Sequence, residues 1–203
     1  MDFKLTIFSD YICPWCYVGQ GVVNKLKVEY EIDIEWRPFY LRPDTPEEGM
    51  DLPEYVLKAR NTGIEDRLYE LAKLNNLPFT STKRFYNTRL AHEATEYARL
   101  HGKLNEFHKV VFHKVYGEGL DPSSWEVLRS AAEEVGLDAN DMQQKVESGT
   151  YTEEVASQVQ QAYQIGVSGV PTYVINDRYA IVGAQPYDVF KNALMQILSQ
   201  KKE

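Results

Sequence analysis

Residues 9–17 read SDYICPWCY, and both cysteines of the chain, Cys13 and Cys16, lie in that stretch. A Cys-x-x-Cys pair can be a metal arm, a structural disulfide or a reagent for thiol–disulfide exchange. The flanking residues help to choose. Ahead of the pair, FKLTIFS alternates Phe3, Leu5 and Ile7 with Lys4 and Thr6, as a strand does. Behind it, Val18, Val22, Val23, Leu26 and Tyr30 recur at helical steps. Cys13 therefore falls between a strand and the first turn of a helix. Unpaired N–H groups and a partial positive charge at such a place favour thiolate over thiol. Pro14 suits the first helical position, where no amide donor is lost. Cys16 lies one turn on, on the same face, within reach of the Cys13 sulfur. In this reading Cys13 attacks a disulfide and Cys16 resolves the mixed disulfide.

The other two chemistries fit less well. Zinc prefers four ligands, and His108 and His113 could supply a second arm. They lie roughly 90 residues beyond Cys16, not the 12–15 or so of a compact finger. A structural bridge would close too small a loop to remove much unfolded-state entropy. No metal and no other cofactor is expected.

A second part of the site is expected in GVSGVPTYVI, at Val170, Pro171 and Thr172. A proline opening a strand can be a simple strand-start residue. With a Cys-x-x-Cys before the first helix, a cis-proline beside Cys13 explains it better. That bend would leave the N–H and C=O of Val170 free for an extended substrate. Trp15 reads as a solvent-side platform for substrate. Asp10 could be an acid–base partner, but reads better as a turn cap. His92 reads as a core-edge histidine, and His101, His108 and His113 as surface helix residues. Tyr86, Tyr97, Phe107, Phe112 and Tyr116 read mostly as core, with some available for an apolar groove. Gly19 and Gly21 sit within helix and form no dinucleotide fingerprint.

The elements that must hold these residues can be traced along the chain. EIDIEWRPFYL is a strand through Ile32, Ile34 and Trp36, ended by Pro38. From about residue 51 to 148 the patterns are helical, with no convincing strand. One of these helices, SSWEVLRSAAEEVG, is expected to open with a capping box from Ser123 to Glu126. PTYVI and YAIVG then flank Asn176-Asp177-Arg178, a hairpin composition, and Pro186 precedes a last helix. Without the helical block the order is β-α-β-α-β-β-α, that of a thioredoxin fold. The expected division is a discontinuous α/β thioredoxin-like domain, residues 1–43 and 150–203, with a helical insertion over 44–149.

DYICPWCYVG, NTRLAH, GVSGVPTYVIND and GAQP together resemble the DsbA-like thioredoxin superfamily, in particular its FrnE-like dithiol–disulfide isomerase branch. The resemblance implies Cys13 as nucleophile, Cys16 as resolving thiol and Pro171 as cis-proline. It also suggests Asn87 and His92 as lining of the cleft opposite Cys13. Periplasmic members usually carry histidine where Trp15 stands here, so a less oxidising couple is expected. The implied partners are protein or peptide thiols and disulfides, with glutathione or a thioredoxin-type protein as reductant. Two alternatives remain. Glutathione-dependent hydroxychromene-carboxylate isomerases and kappa-class transferases share the pattern but use serine in place of Cys13. A thioredoxin-fold binding module without catalysis is the other.

Composition narrows the partners. The net charge is −8, which repels phosphate backbones and anionic lipid, so nucleic acid and membrane docking are not expected. The opening MDFKLTIFSD lacks the charged and apolar regions of a signal peptide, which leads to a cytoplasmic expectation.

Overall fold

A computed structural model describes residues 3–200. The strand β1 (Phe3–Ser9) runs into α1 (Pro14–Glu29) and returns as β2 (Ile32–Pro38). β1 and β2 pair in parallel, so these elements form a βαβ unit. At the other end of the chain, β5 (Thr172–Ile175) and β6 (Tyr179–Val182) form a hairpin before α9 (Tyr187–Gln200). Asn176 and Asp177 have φ of 50° and 55°, the left-handed region that a tight primed turn requires. The sheet order is β2-β1-β5-β6, with β5 antiparallel to β1.

Helices fill the middle of the chain: α2 (Glu54–Ala59), α3 (Glu65–Leu74), α4 (Arg89–Leu100), α5 (Leu104–Phe112), α6 (Trp125–Glu134), α7 (Ala139–Glu147) and α8 (Thr152–Gln164). The fold is thus the α/β thioredoxin-like arrangement with a helical insertion. Two expectations for this stretch fail. Met50–Asp51 (β3) and Arg84–Phe85 (β4) pair as a very short antiparallel ladder, too brief to show any periodicity. The capping box at Ser123 does not form. Asp121 takes both the N–H and the hydroxyl of Ser123 through Oδ1, and Ser124 becomes the cap residue. An aspartate two residues back outcompetes the reach into the helix.

α1 joins two cores. Its C-terminal half packs Val22, Val23 and Leu26 with Phe3, Leu5 and Ile7 of β1 and with Phe190, Leu194 and Ile197 of α9. Its N-terminal turns place Cys13, Cys16, Tyr17 and Val18 in a second core built with α3 to α7. α8 covers the opposite sheet face, where Ala162 meets Phe8. Gly19 permits this crowding, because a Cβ there would run into the Tyr173 hydroxyl. Among the described residues no helix is long and apolar enough to cross a membrane.

His108 overturns its surface expectation. It is buried, its ring stacks on Trp36 with centroids 3.8 Å apart, and its Nδ1 accepts from Gln20 Nε2 at 3.2 Å. Burial holds it well below the ordinary imidazole range, with the neighbouring charge of His92 adding to the effect. Below the ordinary histidine pKa the unfolded chain takes up a proton that folded His108 refuses. Stability then falls as pH drops, with a limiting slope of about 1.4 kcal/mol per pH unit for one such group. Urea unfolding at two pH values, near 7.5 and 5.5, should show His108→Leu losing less stability on acidification than wild type. Equal losses would show that His108 does not carry this proton linkage.

Candidate active site

The chain leaves β1 at Ser9 and turns through Asp10, Tyr11 and Ile12. The turn closes when the Cys13 N–H donates to the Asp10 carbonyl at 3.0 Å. Cys13 then caps α1 with an extended backbone, φ −94° and ψ 107°. Its carbonyl accepts from the N–H groups of Cys16 and Tyr17 at 3.1 and 3.4 Å. Pro14 occupies the first turn, as its missing donor and fixed φ allow.

Both cysteines are free thiols and both are buried, at 2% and 1% exposure for Cys13 and Cys16. Their environments differ. Cys13 lines a cavity of about 440 Å³, whereas Cys16 does not. Burial pushes the Cys16 thiol well above its ordinary range, and its hydrogen bond to Cys13 and the charge there push further the same way. The Asp10 main chain and the Ser9 hydroxyl act in the opposite direction. Cys16 is therefore a protonated reserve behind a more accessible sulfur.

Val170–Pro171 is cis and lies beside this pair. The Cys13 thiol donates to the Val170 carbonyl at 3.4 Å. That corrects one expectation: the carbonyl is not free, because the sulfur takes it. The Val170 N–H makes no hydrogen bond among the described residues. Thr172 turns its hydroxyl to the Gly169 carbonyl at 2.7 Å, and its backbone sits in the sheet between Phe8 and Val182.

The cavity is walled by Trp15, Leu41, Leu68, Phe79, Phe85 and Val170, among others. Trp15 is half-buried, with the Arg67 guanidinium 5.8 Å from its ring centroid. Arg42 lies over Phe85 at 5.2 Å, and Arg60 donates to the Thr82 carbonyl at 2.7 Å. Arg42 and Arg60 line the cavity, and none of the three arginines has a carboxylate partner among the described residues. The sequence carries no signal for this collar, since its members come from separate segments.

Asp10 does more than cap a turn. Its carboxylate is 1% exposed. Oδ2 accepts from Leu41 N at 2.7 Å, and Oδ1 from Thr88 Oγ1 at 2.8 Å. His92 Nε2 lies 3.4 Å and Ile12 N 3.5 Å from Oδ1. His92 is thus a buried partner of Asp10 and does not line the cavity. Nor does Asn87, whose amide donates to the Thr45 carbonyl while its oxygen accepts from Arg89 N. Among the described residues no three His, Cys, Asp or Glu side chains gather as a metal site would need. His108 and His113 do not face Cys13: one is under Trp36 and the other beside Glu118.

Comparison with known proteins bears on the family and the fold. The family described as the DSBA-like thioredoxin domain matches residues 4–195. YwbO of Bacillus subtilis (strain 168) is 31% identical over 206 residues, covering 100% of each chain. The 2-hydroxychromene-2-carboxylate isomerase of Sphingobium xenophagum is 28% identical, over 88% of this chain and 91% of that one. Among solved structures, the probable DsbA oxidoreductase SCO1869 from Streptomyces coelicolor superposes with a TM-score of 0.83 at 26% identity, covering 97% and 90% of the two chains.

This geometry sets the outcome of two measurements. Alkylation of the reduced protein should label Cys13 first. Cys16, with its pKa raised, holds less thiolate at any pH and should react only in strongly alkaline solution or after unfolding; equal labelling near pH 8 would contradict its burial. Asp10→Ala strands Leu41 N–H and Thr88 Oγ1 and should cost about 3 kcal/mol in urea unfolding, against under 1 kcal/mol if the carboxylate were only a surface cap.

Proposed function

The chain belongs to the DSBA-like thioredoxin domain family, and on that footing we propose that it exchanges dithiol for disulfide in protein or peptide substrates. One observation carries the reading: two free thiols share the first turn of α1, one facing a cavity and the other desolvated behind it. The Cys13 sulfur attacks a substrate disulfide, breaking its S–S bond and releasing one substrate sulfur as thiolate. Cys16 then attacks Cys13, forming the Cys13–Cys16 bond and releasing the second sulfur. The substrate gains two electrons and two protons, and the pair loses them.

Several features support a polypeptide substrate. The cavity walls are largely apolar and aromatic, suited to side chains of an unfolded segment. The Val170 N–H offers a main-chain donor beside the sulfur. Trp15, in place of a cation between the cysteines, favours reduction or isomerisation over net oxidation. Glutathione or a thioredoxin-type protein would recharge the oxidised pair in a reducing, cytoplasmic setting.

A second reading has its own support. Relatives named 2-hydroxychromene-2-carboxylate isomerases match most of the chain, and Arg42 and Arg60 on an apolar wall would suit a small anionic substrate. In that case glutathione would be held without covalent bonding and Cys16 would be idle.

Insulin reduction, with and without glutathione, separates these. Cys13→Ser should lower turnover by about a thousand-fold or more, as removal of a nucleophile does. Cys16→Ser should accumulate a mixed disulfide at Cys13 that mass spectrometry can locate. Turnover that survives Cys13→Ser would overturn the exchange reading. Full small-molecule isomerisation in Cys16→Ser, with glutathione bound and no adduct, would favour the second.

A further inference from the structure

Cys13 is 2% exposed, yet attack on a disulfide brings a substrate sulfur against its own. The cavity it lines holds about 440 Å³, a volume of the small-molecule class. A disulfide carried in a polypeptide arrives with chain on both sides and needs more room. One wall of the cavity is α2 and the turn after it, through Val56, Ala59, Arg60 and Ile64. That wall is weakly held. Leu52 and Leu68 are buried, but over 53–67 no residue is, and α2 buries no side chain at all. A segment that takes so little apolar surface out of water has little to resist local opening.

Its ends and its ties fit the same role. Before α2 the chain is fixed by the short ladder of β3 with β4. After it, helical geometry breaks at Thr62 (φ −94°, ψ 20°) and Gly63 (φ 88°, ψ 0°). No atom lies within 4 Å of where a Gly63 side chain would begin, so the bend and not crowding calls for the glycine. Among the described residues, polar side chains tie 53–64 to the rest at two places. The Tyr55 hydroxyl accepts from Arg42, whose guanidinium lies 5.7 Å from the Tyr55 ring centroid. Arg60 donates to the Thr82 carbonyl at 2.7 Å. The Lys58–Glu54 pair and the bond from the Thr62 hydroxyl to the Ala59 carbonyl stay within the segment.

We propose that residues 53–64 form a gate that selects substrates by size, latched by Tyr55 on Arg42. Shut, as in this structure, the gate leaves room at Cys13 for a small disulfide. Swung outward about Thr62 and Gly63, it admits a disulfide carried in a polypeptide. The choice of substrate rests on the exchange reading of the site; the motion does not.

Tyr55→Ala releases the latch, and Tyr55 is 57% exposed and no part of the cavity wall. Cys13 attack is timed as mixed-disulfide formation with insulin and with a small aromatic disulfide, in Cys16→Ser and in Tyr55→Ala/Cys16→Ser. Attack on insulin should quicken roughly two- to five-fold, the worth of one exposed cation–π contact, while attack on the small disulfide is unchanged. Hydrogen exchange at the amides of 54–62 should quicken alongside, with that of α4 unaltered. Equal acceleration of both disulfides, or of neither, would overturn the selection by size. Amides at 54–62 that exchange as slowly as those of α4 would overturn the motion. Alkylation separates the gate from the exchange reading: Tyr55→Ala should speed labelling of Cys13 by a peptide-borne maleimide and leave N-ethylmaleimide unaffected. That result, with no mixed disulfide formed on insulin, would sink the exchange reading and keep the gate.

Discussion

The carboxylate of Asp10 is the knot on which the site depends. It stands one residue beyond β1, out of contact with water, and draws in the backbone at Leu41, the Thr88 hydroxyl and the His92 ring. One buried charge thereby ties the βαβ unit to the start of α4. The same residue offers its carbonyl to the Cys13 N–H, so the position of Cys13 is referred to that anchor. A buried carboxylate must be met by donors or be lost, and the donors here come from the chain after β2 and from the start of α4. The helical insertion and the cysteine turn are therefore one construction.

That construction divides the labour between two like atoms. Cys13 begins α1 and touches the cavity; Cys16 is a turn deeper, in the core that also holds Tyr17 and Tyr116. Burial raises the Cys16 thiol and the phenols of Tyr116 and Tyr173, so these groups remain neutral and protonated. A sulfur that must ionise in such a place needs a donor built in beforehand. At Cys16 the Asp10 main chain works against that burial.

Local pattern made much of this legible. Alternation in FKLTIFS, helical spacing after Cys16, the Asn176-Asp177 turn and Pro171 all act through nearest neighbours, and each leaves a mark in the sequence. What stayed hidden depends on contacts between distant segments. His108 looks like any polar helix residue until Trp36 is laid across it. Asn87 and His92 belong to the scaffold under the site, which spacing on a helix cannot reveal. The Ser123 capping box lost to Asp121, a competition between two local bonds that composition does not settle. Arg42 and Arg60 come to one cavity, and Arg67 to the Trp15 ring on its wall, only through the fold.

The central claim is that Cys13 and Cys16 form one reversible two-electron couple. Redox titration tests it most directly: equilibrate the protein in buffers of graded thiol-to-disulfide ratio, quench with an alkylating reagent and weigh the product. The account predicts a single transition from two alkylated thiols to none, with the Cys13 and Cys16 peptides joined at the oxidised end. Thiols that alkylate at every ratio, or an adduct on Cys13 that never passes to Cys16, would contradict it.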